Sequence, residues 1–111
     1  MEKLIEFAPK VKGFVMDLYP SGPTKTFENK NKEIVTDDPK YYNEYGLYRI
    51  HWNVSVPTIS VHLAPKKKAN GAAVVVFPGG GYRAVVIDNE GYDVARYFNS
   101  IGISAIVVKY R

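Results

Sequence analysis

The chain has 111 residues, enough for one domain at most. Lys and Arg number 15 against 11 Asp and Glu, a net charge of +4 that is spread along the chain apart from Lys66-Lys67-Lys68. That run reads as a solvated turn, and nucleic acid is not an expected partner. The absence of cysteine excludes a disulfide scaffold and a thiolate metal site.

No apolar run is long enough to span a bilayer, so no membrane partner is expected. The first ten residues lack the apolar core of a signal peptide, which makes a cytoplasmic product the default expectation and leaves an exported parent open.

Taken in order, residues 1–45 read as an irregular leader packed on the domain formed by residues 46–111. Pro9, Pro20, Pro23 and Pro39 punctuate the leader, and Asn29 to Lys32 and Asp37-Asp38-Pro39 read as turns. Tyr41, Tyr42 and Tyr45 read as packing residues, with a carbohydrate-stacking platform as the alternative. Leu47 to Val54 alternates, with Tyr48, Ile50, Trp52 and Val54 on one side, which predicts a strand with one buried face. Thr58 to Leu63 alternates again, with Ile59, Val61 and Leu63 predicted inward and Thr58, Ser60 and His62 outward. These two form the expected antiparallel pair. Pro65 to Gly71 is a turn closed by Asn70-Gly71.

Val74 to Phe77 and Ile103 to Val108 are short apolar runs without alternation, the pattern of strands buried on both faces of a parallel sheet. Between them, Glu90 to Ile101 predicts a helix with Val94, Ala95, Phe98 and Ile101 on its apolar face. Asp88 or Asn89 is placed to cap its start, and Gly102 to end it in a left-handed conformation. Strand, helix and strand make a βαβ unit, so the expected fold class is α/β.

Pro78-Gly79-Gly80-Gly81-Tyr82 is the sharpest feature. Three adjacent glycines after a buried strand strip every side chain from its C-terminal mouth, and bare N–H groups can then face a bound oxygen. The carboxyl ends of parallel strands are also where ligands bind in open α/β sheets. Gly79, Gly80, Gly81 and Tyr82 are therefore candidates for an oxyanion hole. Asp88 and Glu90 read as helix-start carboxylates, and either is a candidate to face a substrate cleft.

From Tyr45 to Arg111 these motifs resemble the N-terminal part of an α/β-hydrolase. The strands, Val-Val-Val-Phe-Pro-Gly-Gly-Gly-Tyr, and Asn-Glu-Gly-Tyr-Asp-Val-Ala-Arg-Tyr-Phe are most similar to the carbohydrate acetyl-esterase and dienelactone-hydrolase-like group, often found near xylanases. Tyr19-Pro20-Ser21-Gly22 is similar, more weakly, to the Trp-Pro-x-Gly leader of that group. The resemblance implies a serine-type ester hydrolase in which the glycine loop supplies part of the oxyanion hole, with Pro78 in place of the histidine of His-Gly-Gly-Gly esterases. It implies a small-molecule or carbohydrate ester as substrate and no cofactor. It also implies a strand order in which Ile103–Val108 inserts between Thr58–Leu63 and Ala72–Phe77.

The family's nucleophile elbow, Gly-x-Ser-x-Gly, does not occur. Gly102-Ile103-Ser104-Ala105-Ile106 lacks the second glycine, and Ser104 reads as a small buried strand residue. His51 and His62 both precede the loop, so no triad forms in the family's order. Two isolated histidines on strands do not make a metal site either. The expectation is an incomplete sheet, inactive alone, whose open edge a missing C-terminal half would cover.

Two alternatives stand beside it. Gly79 to Ala84 satisfies Gly-x-Gly-x-x-Ala, a nucleotide-binding fingerprint if a helix opens within it. A non-catalytic hydrolase remnant or interaction module also fits.

Overall fold

The computed structural model describes residues 3–8, 11–20 and 32–111. Pro9, Ser21, Gly22, Pro23 and the Asn29-Lys30-Asn31 part of the expected turn lie outside them. Among the described residues there are eight strands, a 3-10 turn at Pro39–Tyr41, a π-helical turn and one α-helix, a mixed α/β architecture.

The strands are β1 (Lys3–Ala8), β2 (Val11–Asp17), β3 (Ile34–Asp37), β4 (Arg49–Trp52), β5 (Thr58–His62), β6 (Ala73–Val76), β7 (Ala84–Val86) and β8 (Ser104–Lys109). The π turn spans Asp88–Tyr92 and runs directly into α1 (Asp93–Ser100). A five-stranded sheet has the order β1-β2-β5-β8-β6, and a three-stranded sheet has the order β3-β4-β7. Only β6 and β8 pair in parallel; every other pair is antiparallel.

β8 does insert between β5 and β6, with Val74 opposite Ala105 and Val61 opposite Ile106. The helix ends as expected. Gly102 has φ +86°, and its N–H donates to Asn99 O at 3.1 Å while Ile103 N–H donates to Phe98 O at 2.9 Å. This doubled closure uses the left-handed residue that glycine adopts without a Cβ clash. The lysine turn is exposed as read, and it leans on this helix end through Asn70 N–H to Gly102 O at 3.0 Å.

Four expectations need correction. Three stretches of the leader are strands rather than irregular: β1 pairs antiparallel with β2, β2 pairs along β5, and β3 joins the second sheet. Neither side of Lys3–Ala8 is uniformly apolar, so alternation does not announce it.

The expected β4–β5 pair does not form. Asn53, at φ +53°, turns the chain out of β4's plane, and Val54 drops into the core. The edges of β5 are then taken by β2 and β8, and β4 lies between β3 and β7, half-buried along its whole length.

The inward and outward faces of β5 are also reversed. Ser60 and His62 are buried, whereas Ile59 and Val61 are half-buried and Leu63 is exposed. The cause is α1, which packs on the Ser60–His62 face. Its buried residues are Ala95 and Asn99, whereas Val94 and Phe98 are half-buried and Ile101 is exposed.

Finally, Asp88 and Asn89 do not cap the helix. The π turn begins from Ile87, which makes no side-chain cap bond, and Tyr92 N–H donates back five residues to Ile87 O at 2.8 Å.

The core consists of Val54, Val85, Ile87, Ala95, Ala105 and Val107, with Val74, Val76, Tyr92 and Tyr110 around it. It fills the space between α1, one face of the large sheet and the inner side of β7. The opposite face of the large sheet carries Phe14, Met16, Ile59, Val61, Ile106 and Val75 in register. There Val75 is 55 % exposed, and beyond β6 Phe77 is 66 % exposed.

Candidate functional site

The glycine loop leaves the C-terminal end of β6, which pairs in parallel with β8. Pro78 is buried, its carbonyl accepts a hydrogen bond from the Tyr110 hydroxyl, and Gly91 lies against its ring. A Cβ on Gly91 would sit 3.1 Å from Pro78 Cγ and 3.0 Å from Val107 Cγ1, so glycine lets the π turn close onto the loop.

Each glycine of the triplet serves a different need. Gly80 has φ +159°, and a Cβ there would lie 1.7 Å from Ala84 O, so no side chain fits. Its carbonyl accepts from Arg83 N–H at 3.1 Å and Ala84 N–H at 3.2 Å. Gly81, at φ +63°, has open space where a side chain would stand, so backbone conformation alone selects glycine. Gly79 has no positive φ; the Glu90 carboxylate crowds its side-chain space, with Oε2 3.1 Å and Oε1 3.3 Å from the Cβ position.

Tyr82 also adopts a left-handed backbone, φ +61°, with its side chain fully in solvent. A bulky residue there costs about 1–2 kcal/mol. No packing offsets this among the described residues, which singles out the loop as a functional candidate. Within the described residues the N–H groups of Gly79, Gly80, Gly81 and Tyr82 make no hydrogen bond to protein. The loop thus presents four adjacent donors and a carboxylate at the mouth of β6.

The segment after the loop is not the helix start that a dinucleotide site requires. Ala84–Val86 is β7, paired with β4, and Val86 N–H returns to Gly79 O at 3.0 Å. The Gly-x-Gly-x-x-Ala match therefore sits on a strand-to-strand turn, which removes the helix dipole and amide cluster of that motif.

Asp88 is not at a cleft. Its side chain is 1 % exposed and is held by Arg49, with Nε to Oδ2 at 2.9 Å, Nη2 to Oδ1 at 2.8 Å and the Arg49 backbone N–H to Oδ2 at 2.6 Å. The hydrogen bond to Asp88 raises the Arg49 pKa above its ordinary value. The pair ties β4 to the π turn and so fixes where Glu90 stands. Its partners are 39 residues apart, and no local pattern in the sequence announces it.

A second polar cluster lies under α1. Ser60 Oγ is 3.1 Å from His62 Nε2, Tyr92 bonds to Ser60 and its ring lies tilted beside the imidazole with centroids 5.2 Å apart, and Asn99 Nδ2 donates to the carbonyls of His62 and Ile103. Burial, then the nearby Arg96 cation, push His62 down to about 4. Serine and histidine are in contact here, but Ser60 is 4 % exposed and His62 1 %, so the pair is sealed from substrate and acts as a structural joint.

His51 stands in the other sheet, its pKa lowered by burial and then by Lys109. Ser104 Oγ accepts from Ala64 N–H at 2.9 Å, a strand-edge role.

The tyrosines do not form one platform. Arg96 covers the ring of Tyr45 at 4.3 Å, Tyr41 packs near Tyr48 at 5.2 Å, and Tyr42 donates to Asp37 Oδ2 at 3.3 Å.

Among the described residues no group of three or more His, Cys, Asp or Glu is placed to hold a metal ion, and no helix is long and apolar enough to cross a membrane. Neither a protein-family model nor a curated protein matches the chain.

Proposed function

We propose that Pro78–Tyr82 is the oxyanion-binding loop of a serine-type, acetyl-esterase-like ester hydrolase of the α/β-hydrolase kind. The serine, the acid and the histidine are carried by polypeptide outside these 111 residues, and the 111 residues are inactive alone. In the reaction, a serine attacks a neutral ester carbonyl and the loop's N–H groups stabilise the tetrahedral oxyanion. Such donors act best when fixed beforehand at about 2.7–3.1 Å from the developing charge.

The observation that carries the reading is the loop itself: four N–H groups without a described protein partner at the carboxyl end of a parallel strand, next to a tyrosine in a strained, unpacked conformation. The order β5-β8-β6 supports it, since it matches the order that the resemblance implies. So does the large sheet's second face, where Leu63, Val75 and Phe77 are exposed; a sheet with parallel strands is ordinarily covered on both sides.

The reading is tested by sequencing the coding DNA past codon 111. An open frame leading into Gly-x-Ser-x-Gly, then Asp or Glu, then His, is expected. A stop codon directly after Arg111 would overturn it.

A further inference from the structure

We infer that Glu90 sets the charge selectivity of the glycine loop, admitting neutral acyl groups and opposing anionic ones; this rests on the oxyanion-loop reading above. The Glu90 carboxylate lies against the side-chain space of Gly79, which puts both its oxygens within about 5 Å of the Gly79 Cα. Its backbone is clamped on both sides. Two residues earlier, Asp88 is buried and bound by Arg49; one residue later, Gly91 is pressed against Pro78 and Val107. Among the described residues no cation pairs with Glu90, so its charge acts on the loop without a local counter-ion.

A neutral carbonyl oxygen at the loop feels little of that field. A free carboxylate bound about 5 Å from Glu90 would feel a like charge that, before screening by salt, weakens binding about fourfold in water-like surroundings. An oxyanion formed in serine chemistry differs from a free anion, because the proton taken by histidine leaves a compensating cation beside it. Glu90 therefore discriminates against resident anions more than against the reacting group.

The test uses the 111-residue chain and its amide proton–nitrogen spectra. Sodium acetate is the anionic probe and acetamide the neutral one, at a fixed ionic strength near 0.15 M, where screening confines the effect to within about 8 Å. With that screening, Glu90→Gln should bind acetate about twofold more tightly at the Gly79–Tyr82 amides, with acetamide affinity unchanged. Glu44→Gln, which removes an exposed carboxylate elsewhere, should match the unsubstituted chain.

Equal acetate affinity with and without Glu90→Gln would overturn the selectivity role and leave the loop reading standing. An equal gain for acetamide would also overturn it, because the effect would then be steric. No acetate-dependent shift of these amides in either protein would overturn the loop reading and the inference together.

Discussion

Replacing Arg49 should destabilise the fold more than replacing Asp88, although the two residues make the same hydrogen bonds to each other. The difference lies in what each substitution leaves behind. The Asp88 side chain is 1 % exposed and that of Arg49 38 %. In Arg49→Leu a buried carboxylate keeps only the 2.6 Å bond from the residue 49 backbone N–H. Stranding a buried charge in this way costs about 3–5 kcal/mol.

In Asp88→Leu the guanidinium is already partly in water and can turn further outward. The loss is then the hydrogen bonds themselves and one unpaired N–H, about 2–3 kcal/mol. Arg49→Leu with Asp88→Leu strands no charge, so the double variant should be more stable than Arg49→Leu alone. Domains of this size have only about 5–15 kcal/mol to lose, so the order is readable from urea unfolding midpoints with linear extrapolation. The reasoning is refuted if the double variant loses the sum of the single losses, or if Asp88→Leu is the worse single change.

Two further outcomes follow from the geometry. Gly80→Ala should cost more than about 2 kcal/mol or displace the loop, because its Cβ would lie 1.7 Å from Ala84 O; Gly81→Ala, with open space around it, should cost only about 1 kcal/mol. Equal losses in urea unfolding would mean the loop does not close on Ala84 as described. For His62, burial depresses the folded pKa to about 4 from an ordinary 6.5, so the unfolded chain takes the proton first. Stability is fully present above pH 6.5 and is lost as pH falls toward 4, by about 3 kcal/mol from this group. Unfolding midpoints at pH 7.5, 6 and 5 should fall less steeply for His62→Gln than for the unsubstituted chain; parallel slopes would count against it.

The parts legible in the sequence were those governed by neighbours in the chain. The glycine triplet, Gly102 at the helix end, the apolar runs of β6 and β8 and the exposed lysine turn are local signals, and each stands where the residues placed it, although β6 is not buried on both faces as its apolar run predicted. The reversed face of β5 could not be read that way. Alternation reports that two faces differ, not which one a helix will cover. Here Ser60 and His62 are buried at small cost because Tyr92 bonds to one and Asn99 bonds to the carbonyl of the other. β7 was hidden by its three-residue length, and the Arg49–Asp88 pair by its separation. At the candidate site, the glycines and Glu90 were visible as residue types, but their contact depends on the π turn, whose i to i+5 bond has no pattern of its own in this stretch.

The π turn is where fold and proposed chemistry meet. An ordinary α-helical start would advance the chain by one hydrogen-bond register and rotate Glu90 away from its present direction by about 100°. The wider turn keeps three constraints at once: Asp88 inward to Arg49, Gly91 down on Pro78 and Val107, and Glu90 across to Gly79. π turns within helices are rare and recur at functional sites, since they give up regular packing for side-chain direction. Of the three, the first two serve stability in an obvious way, through a buried ion pair and close packing. The third does not: an exposed carboxylate against a bare loop buries little and has no described ion-pair partner. A carboxylate in the first turn favours the helix dipole wherever it points, so the dipole accounts for an acid at position 90 but not for its contact with Gly79.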